Sequence, residues 1–360
     1  MASLSRTLAA SALLAFAACA AEQTTAPRDS PASPAAAGSN LAAASNSWST
    51  AAPMYDAYFG SGAAVITNSL DQPVVYIMGG GLDNGISHNS QVLTYNVVRN
   101  TWAQKNLNGD EPAMLSIRGN GLARLGNVLY LTGGFNLVDG YGYDHGFSLI
   151  QGNFAYKTST NARVPAASIP IPSADGVTAA INGKMYVLIG AAMLSRSTCP
   201  SDSCPIGAFR SLYRYDPVTH TWITRTPAPH FHRSGAGGVI NGKFYVVGGF
   251  DSQGHATRNL DVYNPSTNTW TTLALLPETL TKLKAAVLQN KLFVVSPTAT
   301  YAYTPGTNTW AKKATGPANS AARADGASAV TVTLDGRERM VVVGGKAING
   351  QIPRTAVYTP

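Results

Sequence analysis

Short runs of β-branched and aromatic residues recur along the chain, each opened by a turn and closed by glycine. In its fullest form the unit reads Asn241-Gly242-Lys243-Phe244-Tyr245-Val246-Val247-Gly248-Gly249, then a loop, then Tyr263-Asn264-Pro265-Ser266-Thr267-Asn268-Thr269-Trp270. Asn-Gly is a hairpin turn, because both residues tolerate positive φ, and the apolar run after it predicts a buried strand. The glycine pair ends that strand where backbones approach closely. Asn-Pro suits the first corner of a type I turn, and the tryptophan returns as the next strand begins.

The first half recurs as Val75-Tyr76-Ile77-Met78-Gly79-Gly80, Leu129-Tyr130-Leu131-Thr132-Gly133-Gly134, Asn182-Gly183-Lys184-Met185-Tyr186-Val187-Leu188-Ile189-Gly190 and Val341-Val342-Val343-Gly344-Gly345. A worn copy, Asn290-Lys291-Leu292-Phe293-Val294-Val295, carries Ser296-Pro297 in place of the glycines. In the second half a tyrosine precedes a tryptophan by seven residues at Tyr95/Trp102, Tyr215/Trp222, Tyr263/Trp270 and Tyr303/Trp310, whereas Tyr156 is followed by Arg163. The sixth copy stops at Tyr358-Thr359-Pro360, and Asn46-Ser47-Trp48 stands at the other end with no repeat before it. Joined, the two ends make one complete unit, which is how a ring of sheets closes without a free edge. Six units over residues 46–360 give about 52 residues each, close to the roughly 50 of a kelch repeat.

On these glycine, tyrosine and tryptophan landmarks, residues 46–360 resemble the kelch β-propeller family. The resemblance implies an all-β, six-bladed propeller whose N-terminal and C-terminal strands pair. None of the tryptophans at these landmarks is followed by aspartate, so the WD40 pattern is not met. The tryptophans are expected to pack between blades rather than to touch a ligand.

Ahead of the repeats, residues 1–18 carry Arg6 and an apolar stretch too short to span a bilayer, which reads as a secretory signal peptide. Phe16-Ala17-Ala18-Cys19 resembles a bacterial lipobox, with Phe16 where leucine is usual, and implies lipidation of Cys19. The alternative is ordinary cleavage and release. Residues 19–45, rich in alanine, serine and proline, are expected to form a disordered tether. The chain has 3 cysteines, and Cys199 and Cys204 are close enough in sequence to pair in an oxidising compartment. The location expected is therefore the outer membrane or cell envelope, held by a lipid anchor alone.

Composition narrows the classes further. Hydrophobic residues make up 45% of the 360, enough to bury a core and exclude wholesale disorder. The formal charge is +8, but the longest basic run is Lys312-Lys313, so nucleic-acid binding is not expected.

Candidate site residues follow from the family's face of open loops. Arg118 and Arg233 stand sixteen residues before Gly134 and Gly249, the second glycines of their pairs, where kelch domains that bind acidic ligands resemble this sequence in placing arginine at the mouth. Arg323, Asp175 and Thr281 fall near the equivalent place in other blades. An arginine-lined mouth suits an anionic or hydroxyl-rich ligand. The same guanidinium groups have a structural alternative, tying blades together through backbone carbonyls. Two long loops add Asp144 and His145, and Arg210 beside the cysteine pair. His230-Phe231-His232 has metal-ligand spacing, but no third ligand is evident nearby; His232 is retained as a ligand-binding candidate and no metal or cofactor is expected.

The function expected is a non-catalytic binding module for a protein or carbohydrate, acting as a monomer. The alternative is a carbohydrate-active propeller, since galactose oxidase and sialic-acid mutarotase are kelch propellers that act on sugars. No cysteine remains for the first enzyme's crosslink, and Leu115, Lys282 and Val342 break the iron motif of nitrile-specifier proteins after Glu111, Glu278 and Glu338. Mutarotase-like acid/base chemistry needs a channel carboxylate, for which Asp144, Asp175 and Asp325 are the candidates.

Overall fold

Each apolar run becomes the second strand of a four-stranded antiparallel sheet. In blade 4 the strands are Ala236–Ile240, Lys243–Val247, Leu260–Asn264 and Thr269–Thr272, hydrogen-bonded in that order. The Asn-Gly turn forms as the sequence dictates, with Asn241 at φ 50° and Gly242 at φ 70°. Gly249, at φ 87°, shows why glycine ends the second strand: a Cβ there would lie 2.6 Å from the Arg233 carbonyl oxygen.

The computed structural model describes residues 44–55, 58–82, 91–106, 121–137, 147–149, 151–193, 206–346 and 354–360. The chain divides into two compact units, Met1–Ala35 and Ala36–Pro360, and every described residue belongs to the second. Five further sheets repeat the pattern: blade 1 over residues 62–106, blade 2 over 122–164, blade 3 over 177–225, blade 5 over 284–313, and blade 6 over 325–359 completed by Ser47–Pro53. The inner strands contact one another in the order of blades 1 to 6 and back to 1. The described residues contain no α-helix, only strands, turns and a 3-10 turn at Ala321–Arg323.

The core lies between blades, not within a single layer. Six apolar clusters each join two consecutive blades; one packs Tyr186 and Leu188 of blade 3 against Phe244 and Tyr263 of blade 4. Both faces of every second strand are therefore covered, which is why those strands read as continuous apolar runs.

A polar relay repeats with the same period. The hydroxyls of Tyr95, Tyr156, Tyr263 and Tyr303 donate to Asn100, Asn161, Asn268 and Asn308 at 2.7 to 2.8 Å. In blade 3 the partner of Tyr215 is His220 Nδ1, at 3.0 Å. All five partner residues are left-handed, with φ between 52° and 59°, a conformation that asparagine tolerates better than most residues. Where the tryptophan is present, its indole packs at a tilt against the tyrosine ring and donates to the segment leaving the preceding blade, as Trp270 does to Thr226 O and Trp310 to Ala274 O. Blade 2 substitutes Arg163, whose guanidinium lies over the Phe154 ring at 5.5 Å.

The sixth relay spans the two ends of the repeat region. Trp48 pairs in register with Tyr358, the Tyr358 hydroxyl donates to Asn46 Oδ1 at 2.8 Å, and Trp48 Nε1 donates to Ala314 O at 2.7 Å. Joining Asn46-Ser47-Trp48 to Tyr358 thus rebuilds the same unit that the other blades carry on continuous chain.

Candidate functional site

Six inner strands surround an axial channel, and its mouth is a cavity of about 300 Å³ touched by every blade. Close approach requires small side chains on the wall: a Cβ on Gly62 would come within 2.5 Å of Leu122 Cβ in the next blade. The residue two places before the inner strand is left-handed at Gly60, Asp175, Ser234 and Lys282, with φ of 73°, 52°, 54° and 56°. This bend turns the entering chain across the mouth. It also links the rim, where Ser234 N donates to Asp175 O and Gly60 N to Gly326 O, each at 2.8 Å.

Charge at the mouth comes from blades 3, 5 and 6. Asp175, Lys282, Lys284 and Asp325 all line it, and Lys282 Nζ lies 3.2 Å from Asp325 Oδ2. That pair is half exposed, so its two members hold each other only weakly, by roughly 0 to 1 kcal/mol, and a polar ligand exchanges with them at little cost. Ser61, also in the wall and 7% exposed, has a hydroxyl with no hydrogen-bond partner among the described residues.

Lys284 differs from its rim neighbour. It occupies the strand position, opposite the residue before the glycine pair, where other blades hold Gly62, Val177, Ala236 and Ser328. Only 3% exposed, its ammonium group donates to Lys282 O at 3.1 Å and Ala322 O at 3.3 Å, bridging blade 5 to the segment that enters blade 6. Burial pulls its pKa down to about 7; Asp325 opposes the shift and Lys282 adds to it.

The sequence candidates divide accordingly. Asp175 and Asp325 line the mouth. Arg233 is not among the lining residues: its backbone bridges Phe250 and its guanidinium lies over the Phe250 ring at 5.7 Å. Arg210 is a structural tie, donating from Nη1 to Pro229 O at 2.9 Å and lying over Phe231 at 5.3 Å. Gln151 to Pro170 O and Arg258 to Pro277 O make the same tie across the same 19 residues in blades 2 and 4. Arg323 donates from Nε to Gly316 O at 2.7 Å. Arg210 and Arg323 thus bind backbone carbonyls while Arg233 lies over an aromatic ring, and the charged residues lining the described mouth are lysines and aspartates.

His232 is corrected too. It is 1% exposed, with Nδ1 at 2.9 Å from Gly248 O and Nε2 at 3.0 Å from Asp261 Oδ2, so both ring nitrogens are already engaged. Asp261, wholly buried, also accepts from His230 Nδ1 and from Thr272 Oγ1 at 2.7 Å. Burial alone would raise the Asp261 pKa, but the bonds from His232 and Thr272 outweigh it and the carboxyl stays below its usual range. The His-x-His spacing thus serves a buried carboxylate, and among the described residues no group of three or more His, Cys, Asp or Glu side chains is arranged so that it could hold a metal ion. Arg118, Asp144, His145, Cys19, Cys199 and Cys204 lie outside the described residues.

Lys282 and Lys284 were missed as site residues. The signal was available: Leu283-Lys284-Ala285-Ala286-Val287-Leu288 has a lysine where an inner strand otherwise carries small or apolar residues.

Comparison with known proteins agrees with this architecture. The sequence model described as KLHDC2/KLHL20/DRC7 Kelch-repeats domain matches residues 62–296. Kelch-like protein 25 of Xenopus tropicalis is 27% identical over 180 residues, which is 49% of this chain and 27% of that protein, so the chain spans about a quarter of its relative's length. The solved structure titled Structure of YjhT superposes with a TM-score of 0.64 at 15% identity, covering 85% of this chain and 94% of that one, a likeness of fold. With a family match across most of its blades and the repeated glycine, tyrosine and tryptophan framework, the chain belongs to the kelch-repeat family.

Proposed function

We propose that this propeller is a non-catalytic recognition module whose channel mouth receives part of a protein or carbohydrate ligand. The observation that carries this is the mouth itself: a small-residue wall with an exchangeable Lys282–Asp325 pair on its rim. Its volume of about 300 Å³ is at the lower end of ligand pockets, roughly 300 to 1,000 Å³, and suits one sugar ring or one peptide side chain rather than a whole oligomer. Two lysines and two aspartates favour a ligand offering both donors and acceptors over a simple anion. Probing a glycan and peptide array with the purified propeller tests this; binding that competes with changes at Lys282 and Asp325 supports it, and an array without a single specific signal refutes it.

A second function is favoured by one feature. Asp175, Asp325 and Lys284 place acids and a base around one mouth, the requirement for acid/base interconversion of sugar anomers. Faster anomer exchange of reducing sugars, followed by NMR with and without the protein, would select it.

Residues 1–18 are proposed to direct export, with Cys19 lipidated and residues 19–45 tethering the propeller at the envelope. Cys19→Ser should release the protein from the membrane fraction. Recovery of the unaltered protein wholly in the soluble fraction would contradict the anchor.

A further inference from the structure

We propose that Lys284 is a carbonyl-capturing amine, so that an aldehyde or ketone group entering the channel mouth is held there as a reversible imine on Nζ. The proposal deepens the function above and rests on the mouth being the binding site. Its geometric basis is the position of Lys284 on the cavity wall, one strand residue inside the rim, in a ring where the equivalent positions are small or apolar. Two backbone carbonyls, of Lys282 and Ala322, fix the amine in place, so it does not have to be ordered when a ligand arrives.

The chemistry balances without any further reagent. The nitrogen lone pair attacks the carbonyl carbon, one N–H proton passes to the former carbonyl oxygen, and a carbinolamine results. Loss of that hydroxyl with the second N–H proton releases one water and leaves a C=N bond. Hydrolysis reverses each step.

Nucleophilic attack requires the neutral amine, and burial supplies it near neutral pH, with the pKa at about 7. The charged groups around it act in opposite directions. Asp325 of blade 6 favours the ammonium form and Lys282 of blade 5 opposes it, while the guanidinium of Arg323, beside Ala322, donates to the Gly316 carbonyl. Asp175 faces the same mouth from blade 3.

The test uses glycolaldehyde with sodium cyanoborohydride on the whole propeller, followed by peptide mass mapping. An ordinary lysine, with a pKa of about 10.4, is more than 99% protonated at pH 7 by roughly three orders of magnitude, so Lys284 should label about tenfold or more faster than exposed Lys243 even with restricted access. Labelling of Lys284 should rise through about pH 7 and then level off. Labelling of an ordinary lysine, with its pKa of about 10.4, would instead continue to climb with alkalinity. Lys284→Arg keeps a cation but should abolish the fast-labelled site. Equal or slower labelling of Lys284 in the unaltered protein overturns the proposal, and it does so whether or not Lys282 and Asp325 govern array binding. Because the decisive comparison is made within the unaltered protein, a Lys284 variant that fails to fold does not rescue or sink it.

Discussion

A lysine 3% exposed at pH 7 is a residue-scale cost to the fold, and its sign can be worked out. Its folded pKa, about 7, lies below the ordinary value of about 10.4 for an unfolded chain, so the unfolded state binds more protons between those two pH values. Stability should therefore rise with pH across that window, with a slope of up to about 1.4 kcal/mol per pH unit, and the cost should be complete below pH 7. Lys284→Met should flatten this profile and melt higher than the unaltered protein at pH 6, with the gap narrowing toward pH 10; thermal unfolding across that range checks it. Joint replacement of the Lys282–Asp325 pair should change stability by no more than about 1 kcal/mol in denaturant titration. Lys284 was readable as an intruder in an apolar strand, yet its burial could not be read, because the carbonyls that hold it come from both its own rim and Ala322. Asp175 was placed near the mouth by repeat register, whereas Asp325 was named only as a candidate channel carboxylate. Arg210, Arg233 and Arg323 show the converse: register places the backbone, but the side-chain direction depends on which carbonyl or ring the fold brings close.

At the scale of one blade, the tyrosine, asparagine and tryptophan act together. Asn268 Oδ1 accepts the Tyr263 hydroxyl at 2.7 Å and the Thr226 backbone N–H at 3.1 Å, so a single side chain joins its own turn to the preceding blade. Asn268→Ala removes both bonds, places alanine at φ 59°, and leaves the tyrosine hydroxyl to its bond from Arg225; it should cost roughly 1 to 3 kcal/mol in chemical denaturation. Tyr263→Phe keeps the Thr226 bond and should cost less. Equal losses from the two would show that the asparagine contributes nothing beyond its tyrosine partner. The seven-residue spacing of tyrosine and tryptophan was visible in the sequence, and so was asparagine five residues after tyrosine. Only the fold shows why the latter matters: the asparagine must be left-handed to present its oxygen to two donors. The 19-residue ties of Gln151, Arg210 and Arg258 were hidden for a different reason, since two residue types fulfil one role and the loops between differ.

At the scale of the ring, closure depends on Ser47–Pro53 completing blade 6 against Arg354–Thr359. Deleting residues 46–53 should expose a strand edge, remove the sixth relay and lower the midpoint of unfolding for the whole propeller rather than for one blade. An unchanged melting curve would contradict closure at this point. Closure was legible because the two chain ends carried complementary halves of one unit. The mouth was not, because six short segments distant in sequence each contribute a few residues to it, and single-chain spacing does not report how they converge. Recognition at that mouth can be measured as the affinity of the strongest array ligand for three proteins: the unaltered propeller, the double variant Lys282→Asn with Asp325→Ala, and Arg233→Ala. A ligand seated at the mouth should bind the rim variant at least about tenfold more weakly, some 1.4 kcal/mol, and Arg233→Ala with unchanged affinity. Full affinity in the rim variant together with lost affinity in Arg233→Ala would contradict it and move the site to the arginine-bearing loops.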